Sequence, residues 1–234
     1  MSDRELVLGR IRSALADVPA GEPSAWSWAD DPDPGAAYRR GGTDEDPSAL
    51  AERFLDRCGD YSATVSRCEE ASLVAALAAV CERHGVDRLV VAPGFDARRI
   101  PPGVTVQGDD PPLSVERLDA SHAVLTGCAV AIADTGTIVL DAGPGQGRRA
   151  LSLVPDLHVV VVDVDRIVSG VPEGIEALAS AVAQRRPLTL ISGPSATSDI
   201  ELTRVEGVHG PRRLEVLVVA PSAHDPYLAA GEQA

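Results

Sequence analysis

Apolar residues recur every three or four positions in four stretches of the chain, the spacing that places them on one face of a helix. The four stretches are residues 3–16, DPSALAERFLDRC, SLVAALAAVCERHG and PEGIEALASAVAQRR. Ser2 and Asp46 are suited to cap the first two helices, and Pro47 and Pro172 are suited to first turns. On the last three helices, the side chains expected to face inward are Leu50, Phe54, Leu55, Leu73, Leu77, Val80, Ile175, Leu178 and Val182.

Short apolar runs rich in Val, Ile and Leu predict the strands. Most do not alternate with polar residues, which is typical of strands buried on both faces in a parallel sheet covered by helices. In CAVAIADTGTIVLDA, only ADTG separates two such runs, too little for a crossover helix, so one antiparallel pair is expected. We therefore predict an α/β fold with a mostly parallel, mixed central sheet. The runs are SATVSRC, DRLVVAPG, AVLTG, CAVAIA, GTIVLDA, HVVVVDV, PLTLIS and RLEVLVVA.

The segment between the first two helices has a different composition. Residues 18–47 contain five prolines, several glycines and many aspartates, which is typical of an extended connector. Within it, Trp26 and Trp28 are expected to pin the connector to its own domain or to form a partner-binding patch. We predict an N-terminal helix and connector over residues 1–45 and one α/β domain over residues 46–234.

Charge excludes several classes of partner. The 234 residues carry a net charge of −14, which repels nucleic acid and anionic membrane surfaces, and two Phe, two Trp and three Tyr offer little for base stacking. No apolar run approaches the ~20 residues of a membrane span. The first 17 residues alternate charged and apolar positions instead of forming a signal-peptide core, which favours a cytoplasmic protein.

Residue usage also limits the chemistry. All 21 basic residues are Arg, so Schiff-base, pyridoxal phosphate and phosphate-loop lysine chemistry are excluded. Cys58, Cys68, Cys81 and Cys128 form no C-x-x-C pair, so buried free thiols are expected rather than zinc or cluster ligands. No flavin, nicotinamide or haem motif is present, and G-P-G-Q-G does not match G-x-G-x-x-G. We therefore predict no cofactor and no metal.

Three polar loops follow apolar runs, and ligands gather at such loops in open α/β sheets. ADTGT and the loop beginning ISGPSAT offer hydroxyl and backbone N–H groups, and DAGPGQGRR ends in two guanidinium groups that pair with carboxylate or phosphate. Each loop could equally be a capped turn or a solvated one. The candidate ligand-binding residues are Thr135, Gly136, Thr137, Arg148, Arg149, Ser192, Gly193, Ser195 and Thr197.

Candidates for acid, base or nucleophile lie in the same loops. They are Asp134, Asp199, Glu201 and His209, the last in a backbone restricted by GVHGP. A structural histidine and simple turn carboxylates explain the same residues. We expect all three loops to surround one shared hollow. Loops that lie on opposite sides of the molecule would disprove this expectation.

Three blocks in order, AIADTGTIVLDAGPGQGRRALSLVPDLHVVVV, ISGPSATSDIE and GVHGPRRLEVLVV, resemble the lactate-utilisation protein C family, the single-domain members of the LUD group. The resemblance covers roughly residues 46–220 and implies a three-layer α/β/α fold similar to the sugar-phosphate isomerase and coenzyme A transferase superfamily. It also implies a cytoplasmic role in oxidising L-lactate to pyruvate beside two iron–sulfur partner subunits, and it supplies no catalytic residue.

Three functions remain open at the level of sequence. The first is a non-redox subunit of that lactate-oxidising system, with a small carboxylate as an additional ligand. The second is a free-standing transferase-like or isomerase-like enzyme with Asp134, Asp199 or Glu201 as nucleophile or base. The third is a regulatory domain that binds a small acid.

Overall fold

The computed structural model describes residues 3–14, 46–198, 204–206 and 210–221. Contacts between Cα atoms divide the chain into Met1–Arg39 and Arg40–Ala234. The predicted boundary at residues 45 and 46 stays a prediction. In the first unit, the described residues form the helix α1 (Asp3–Ala14), on which Val7 is exposed. Ser2, Trp26 and Trp28 lie outside the described residues.

The second unit alternates helices with strands. Its helices are α2 (Pro47–Asp60), α3 (Glu70–His84), α4 (Val115–Asp119), α5 (Val171–Ala177) and α6 (Ala179–Ala183). Its strands are β1 (Thr64–Glu69), β2 (Arg88–Val91), β3 (Thr105–Gly108), β4 (Ala123–Thr126), β5 (Val130–Ile132), β6 (Thr137–Leu140), β7 (Leu157–Asp163), β8 (Ile167–Val168), β9 (Thr189–Ile191), β10 (Ala196–Ser198), β11 (Arg204–Glu206) and β12 (Arg213–Ala220). All eight predicted runs form strands, whereas the short strands β3, β8, β10 and β11 were not predicted.

A six-stranded parallel sheet in the order β1-β12-β7-β4-β2-β3 forms the centre of the unit. The Val-rich strands β7 and β12 lie inside it, with every residue of Leu157–Val162 buried. Burial on both faces explains why these strands read as continuous apolar runs. The predicted α/β class with a mostly parallel sheet is confirmed.

The predicted antiparallel pair is β5–β6, with Val130 opposite Val139. It lies in a second sheet, of order β8-β5-β6-β9, in which β5 pairs with β8 in parallel and β6 pairs with β9 antiparallel. The hairpin thus leaves the central sheet and lies in a layer beside it. A separate ribbon consists of β10 and β11.

Two apolar cores cover the faces of the central sheet. On one face, α3 packs Leu73 and Leu77 against β7 and β12. On the other face, Phe54 of α2 and Ile138 of β6 pack against Val160 of β7. A further cluster joins the second sheet to α5 and α6 through Leu178.

Helix α2 begins as predicted, since the Asp46 carboxylate accepts a hydrogen bond from Ser48 N at 3.3 Å and Pro47 follows it. The predicted helix PEGIEALASAVAQRR instead divides at Leu178 into α5 and α6, and its predicted inward face is confirmed at Leu178 but wrong at Ile175 and Val182. Ile175 and Val182 are exposed, and Gly174, Leu178 and Ala181 are the buried residues. The reason is Gly174, where a Cβ would lie 2.7 Å from Ile132 Cδ1, so the helix approaches the sheet through its glycine.

Candidate functional site

The carboxyl ends of β2 and β4 form the point at which connections in the central sheet diverge. After β2 the chain passes to β3 on one side, whereas after β4 it passes through the second sheet to β7 on the other side. In open α/β sheets, ligands bind in the crevice that diverging connections leave. This crevice is therefore the expected position of a ligand site.

Residues 141–149, which we call the glycine loop, lie across this crevice. Gly145 N donates to the Pro93 carbonyl after β2 at 2.7 Å, and the Gly145 carbonyl accepts from Gly127 N after β4 at 2.8 Å. The approach is close because Gly94, at φ +83°, has no side chain, and a Cβ there would lie 3.0 Å from Pro144 Cβ. The glycines thus bring the loop onto the strand ends.

A cavity of about 550 Å³ opens beside the glycine loop. Its walls come from the segments that follow β2 and β3 and from the loop itself, and we call it the switch-point cavity. Its volume lies within the range of ligand pockets in proteins. The lining residues are Pro93, Gly94, Asp109, Asp110, Pro112, Ala142, Gly143, Pro144, Gly147 and Arg148.

Arg148 and Asp109 form the charged pair of this cavity. Arg148 Nε and Nη2 donate to the two Asp109 oxygens at 2.7 and 3.0 Å, and Nη2 also donates to the Leu113 carbonyl at 2.6 Å. Burial alone would raise the pKa of the Asp109 carboxyl, but hydrogen bonds from Arg148 and Leu113 N, together with the Arg148 charge, lower it below its ordinary value. Of the three guanidinium nitrogens of Arg148, Nη1 is the one that makes no hydrogen bond within the described part of the chain.

The pairing changes the interpretation of the two predicted arginines. Arg148 is mainly a structural partner of Asp109 and has one nitrogen for a ligand. Arg149 is exposed and forms no ion pair with any residue that the structure describes. Sequence reasoning missed Asp109, because the short strand β3 before it has no long apolar run, although DDPP after a strand is a loop signal.

The start of the glycine loop is held by a second ion pair that the sequence did not reveal. Arg186 Nη1 contacts Asp141 at 2.8 Å, and Asp141 also accepts from Gly143 N at 2.9 Å. Gln146 Oε1 accepts from Asp141 N at 2.6 Å. A Cβ at Gly143 would lie 2.5 Å from Arg186 Nη1 and 2.7 Å from Asp141 Oδ1, so a larger residue at this position would displace the two partners of the ion pair. The loop is therefore a braced structure rather than a solvated turn.

The other two predicted loops meet each other. Thr137 Oγ1 lies 2.7 Å from Thr135 Oγ1 and 2.8 Å from Ser192 Oγ, so these hydrogen bonds join three hydroxyl groups in a row. Thr137 is buried, Thr135 is half-buried and Ser192 is exposed, so the buried hydroxyl lies in the middle of the row and the more accessible ones lie at its ends. The antiparallel pairing of β6 with β9 produces the contact, because it places the carboxyl end of β9 beside the amino end of β6.

Helix α2 supports this hydroxyl row. A Cβ at Gly136, φ +57°, would lie 2.7 Å from the Arg57 carbonyl carbon, and one at Gly193, φ +89°, would lie 2.6 Å from the Tyr61 carbonyl oxygen. Both loops therefore touch the backbone at the end of α2 through glycines. Ser195 N, further along, donates to the Pro211 carbonyl at 2.8 Å.

Asp134 lies at the same turn. Its carboxylate is half exposed and pairs with Arg53 Nη1 of α2 at 2.6 Å. The turn thus has a structural ion pair, and the negative charge that a nucleophile or base would use is partly neutralised.

The three loops do not surround one hollow. The hydroxyl row lies at the amino end of β6, and the glycine loop leaves its carboxyl end, about 10 Å further along the strand at ~3.3 Å per residue. The expectation of one shared site is therefore wrong, and the loops form two separate groups. Asp199, Glu201 and His209 lie outside the described residues, and of Thr197 only the backbone, in β10, is described.

A buried histidine that the sequence did not single out lies in the core beside the crevice. His158 of β7 places Nε2 2.8 Å from Thr126 Oγ1, and Thr126 precedes the Gly127 that binds the glycine loop. Burial lowers the pKa of His158 to about 4, so the imidazole is neutral at physiological pH.

The four thiols are free, as predicted, but only Cys58 and Cys81 are buried, whereas Cys68 and Cys128 are half-buried. Burial raises the pKa of Cys58 to about 12, and burial together with the charges of Asp163 and Asp165 raises the pKa of Cys128 to about 12. Burial also raises the pKa of Cys68 and Cys81. Metal and cluster ligation needs thiolates, which these environments disfavour. Among the described residues, no group of three or more His, Cys, Asp or Glu side chains is arranged to hold a metal ion.

No helix within the described ranges combines the length and the apolar character of a membrane span.

Comparisons with known proteins identify the family. Residues 115–219 match the LUD domain, a range that includes the glycine loop and the hydroxyl row. A protein named Lactate utilization protein C from Deinococcus radiodurans is 53% identical over 170 residues, covering 73% of this chain and 79% of that protein. One of the same name from Halalkalibacterium halodurans is 34% identical over 109 residues, which are 45% of this chain and 47% of the relative.

A solved structure agrees with the fold. The crystal structure of a DUF162 family protein from Deinococcus radiodurans has a TM-score of 0.66 and 45% identity, and it covers 75% of this chain and 99% of its own. Because the first relative is more than half identical over most of both proteins, this chain belongs to the lactate utilization protein C family of LUD-domain proteins.

Proposed function

We propose that this chain acts in lactate utilisation, as a cytoplasmic, non-redox subunit of a system that oxidises L-lactate to pyruvate beside iron–sulfur partner subunits. The observation that carries the proposal is the 53% identity, over 170 residues, with a protein named Lactate utilization protein C. Two finer parts of the proposal, the iron–sulfur partner subunits and the oxidation of L-lactate, are suggested by the resemblance of the three sequence blocks.

The thiol environments support a non-redox role. Oxidation of lactate transfers two electrons to an acceptor, which proteins supply as a flavin, nicotinamide, haem or cluster. The thiols that would hold a cluster have raised pKa values and point into apolar cores at Cys58 and Cys81. In the proposal, the electrons pass through a partner subunit, and this chain contributes binding.

We assign ligand binding to the switch-point cavity rather than to the hydroxyl row. The cavity has the position that ligands favour in open α/β sheets, and Arg148 Nη1 offers N–H groups to a carboxylate there, while Arg149 adds a positive charge at the next residue of the chain. Asp109 holds the Arg148 guanidinium in place, so little side-chain entropy is lost on binding. A small carboxylate is the ligand class that this arrangement supports.

The test compares two samples, the purified full chain alone and the same chain isolated from cells together with the proteins bound to it. A tagged chain is isolated from cells grown on L-lactate, and iron content and lactate-dependent dye reduction are measured for the isolate and for the chain alone. We expect iron and dye reduction in the isolate and neither in the chain alone. Dye reduction by the chain alone, or an isolate without iron, would contradict the proposal.

The ligand assignment has its own test, with L-lactate and pyruvate as probes in an amide chemical-shift titration. We expect saturable shifts at Gly94, Gly143 and Gly147, weakened by Arg149→Ala. The matched control is Arg98→Ala, which removes an arginine that is 90% exposed and pairs only locally with Asp96. Shifts confined to Thr135 and Ser192 would move the site to the hydroxyl row.

A further inference from the structure

Asp110 gives the switch-point cavity a second carboxylate. It lines the cavity beside Asp109, and it is exposed, whereas Asp109 is buried. Asp109 is paired with Arg148, but Asp110 forms no hydrogen bond or ion pair within the part of the chain that the structure describes. Because Asp109 and Arg148 neutralise each other, Asp110 leaves the charged residues of the lining with one negative charge in excess.

The segment that carries Asp110 is held at both ends. Asp109 Oδ1 accepts a hydrogen bond from Leu113 N at 2.8 Å, and Arg148 Nη2 donates to the Leu113 carbonyl at 2.6 Å. Between these anchors lie Asp110 and two prolines, whose rings fix their own φ angles. Asp110 and the Arg148 guanidinium are therefore attached to the same braced wall of the cavity.

The two groups that this wall leaves for a ligand are one donor and one acceptor. Arg148 Nη1 can only donate hydrogen bonds, and the Asp110 carboxylate can only accept them. Asp109 contacts Arg148 directly, and the Cα atom of Asp110 is only ~3.8 Å further along the chain, so a three-carbon acid can span both groups. When its carboxylate binds Arg148, its carbon 2 lies toward Asp110.

The substituent at carbon 2 then decides the strength of binding. A hydroxyl group donates a hydrogen bond to the Asp110 carboxylate, whereas a keto oxygen turns lone pairs toward a negative charge and a methylene group offers no hydrogen bond. Sites that bind a hydroxyl group in this way discriminate strongly against analogues that lack it. The methyl group of a three-carbon acid is matched by the apolar part of the lining, which contains Pro93, Ala142 and Pro144.

We propose that Asp110 is the specificity-determining residue of the switch-point cavity and selects a 2-hydroxy acid over the corresponding 2-oxo acid by accepting a hydrogen bond from the 2-hydroxyl group. This inference rests on the proposed function, because it requires that the cavity binds a small carboxylate. It assigns L-lactate, rather than pyruvate, as the ligand that the chain retains.

The test measures the dissociation constants of L-lactate, pyruvate and propionate for the full chain by amide chemical-shift titration. The three acids share a carboxylate and a methyl group and differ only at carbon 2. We expect shifts at Gly94, Gly143 and Gly147 with all three, and affinities for pyruvate and propionate at least about tenfold weaker than that for L-lactate, which corresponds to ~1.4 kcal/mol. Equal affinities at these glycines would overturn this inference alone. Absence of these shifts with every acid would overturn the ligand assignment as well.

Variants of Asp110 identify the group responsible. The readout is the ratio of affinities, because removal of a negative charge favours every carboxylate. Asp110→Ala should bind L-lactate and propionate equally, and Asp110→Asn, whose amide can also donate, should bind pyruvate more tightly than the unchanged chain does. The matched control is Asp119→Asn, which removes the same charge at an exposed position of α4 outside the cavity and should keep the preference for L-lactate. The amide spectrum without ligand verifies that each variant is folded. A full preference for L-lactate over propionate in Asp110→Ala, or its loss in Asp119→Asn, would overturn the inference.

Discussion

Asp109 and Arg148 lie 39 residues apart in sequence and are joined by two hydrogen bonds between carboxylate and guanidinium. Asp109 follows β3, and Arg148 lies near the end of the glycine loop, so their pairing closes one wall of the switch-point cavity. The Asp109 side chain is only 3% exposed, which makes its negative charge dependent on this partner.

Arg148→Ala should therefore destabilise the fold by about 3 kcal/mol, because it leaves a buried carboxylate unpaired. Arg149→Ala should change the free energy of unfolding by less than about 0.5 kcal/mol, since its exposed side chain has no ion pair within the described residues. Urea unfolding of the two variants measures the difference. The double variant Asp109→Leu/Arg148→Met should lose less than Arg148→Ala alone, and an equal loss would show that the charge is not the cause.

Gly136→Ala should destabilise the protein more than Gly85→Ala. Both glycines have similar left-handed backbones, at φ +57° and +61°, so each substitution carries a similar conformational cost of about 1 kcal/mol. A Cβ at Gly85 meets open space, whereas one at Gly136 would lie 2.7 Å from the backbone of α2. Thermal unfolding should therefore show an additional loss of about 1–3 kcal/mol for Gly136→Ala. Equal losses of stability in the two variants would mean that the α2 backbone does not limit the space at residue 136.

His158 should make the stability fall in mildly acidic solution. The unfolded chain binds a proton at this residue near its ordinary pKa of 6.5, whereas the folded chain binds it only near 4. The stability from neutral His158 is thus present above pH 6.5 and is lost as the pH falls to 4, by about 3 kcal/mol in total.

The measurement is the free energy of unfolding between pH 7 and 4.5 for the unchanged chain and for His158→Gln. We expect a smaller decrease with falling pH in the variant. His122→Gln, at a half-buried position, is the control and should keep the steep decrease. An unchanged pH dependence in His158→Gln would place the acid-sensitive group elsewhere.

The thiols of Cys58 and Cys128 should both react slowly while the protein is folded. Cys58 and Cys128 have pKa values of about 12, so almost no thiolate is present at pH 8. An aromatic disulfide reagent at pH 8 should modify both cysteines slowly in the folded chain and rapidly in urea. Fast modification of Cys58 without denaturant would contradict its burial in the core.

The main elements were predictable from sequence because their signals are local. Val-rich runs such as HVVVVDV and the short ADTG connection determine the parallel sheet and the β5–β6 pair. The pairing of β6 with β9 is not local, and it alone brings Thr137 to Ser192. Gly174 likewise decides which face of α5 is buried through a contact with Ile132 of another strand.

The candidate site was predictable only in part. The glycines and arginines of residues 141–149 mark a loop with chemistry, but the partners of its ion pairs, Asp109 and Arg186, lie far away in sequence. A sequence pattern shows that a guanidinium is present and does not show which carboxylate holds it.

The central claim, a role in lactate utilisation, is tested most directly by deleting the gene in the source organism and comparing growth on L-lactate with growth on pyruvate. We expect loss of growth on L-lactate, undiminished growth on pyruvate, and rescue by the unchanged gene. Undiminished growth of the deletion strain on L-lactate, or an equal loss on pyruvate, would contradict it.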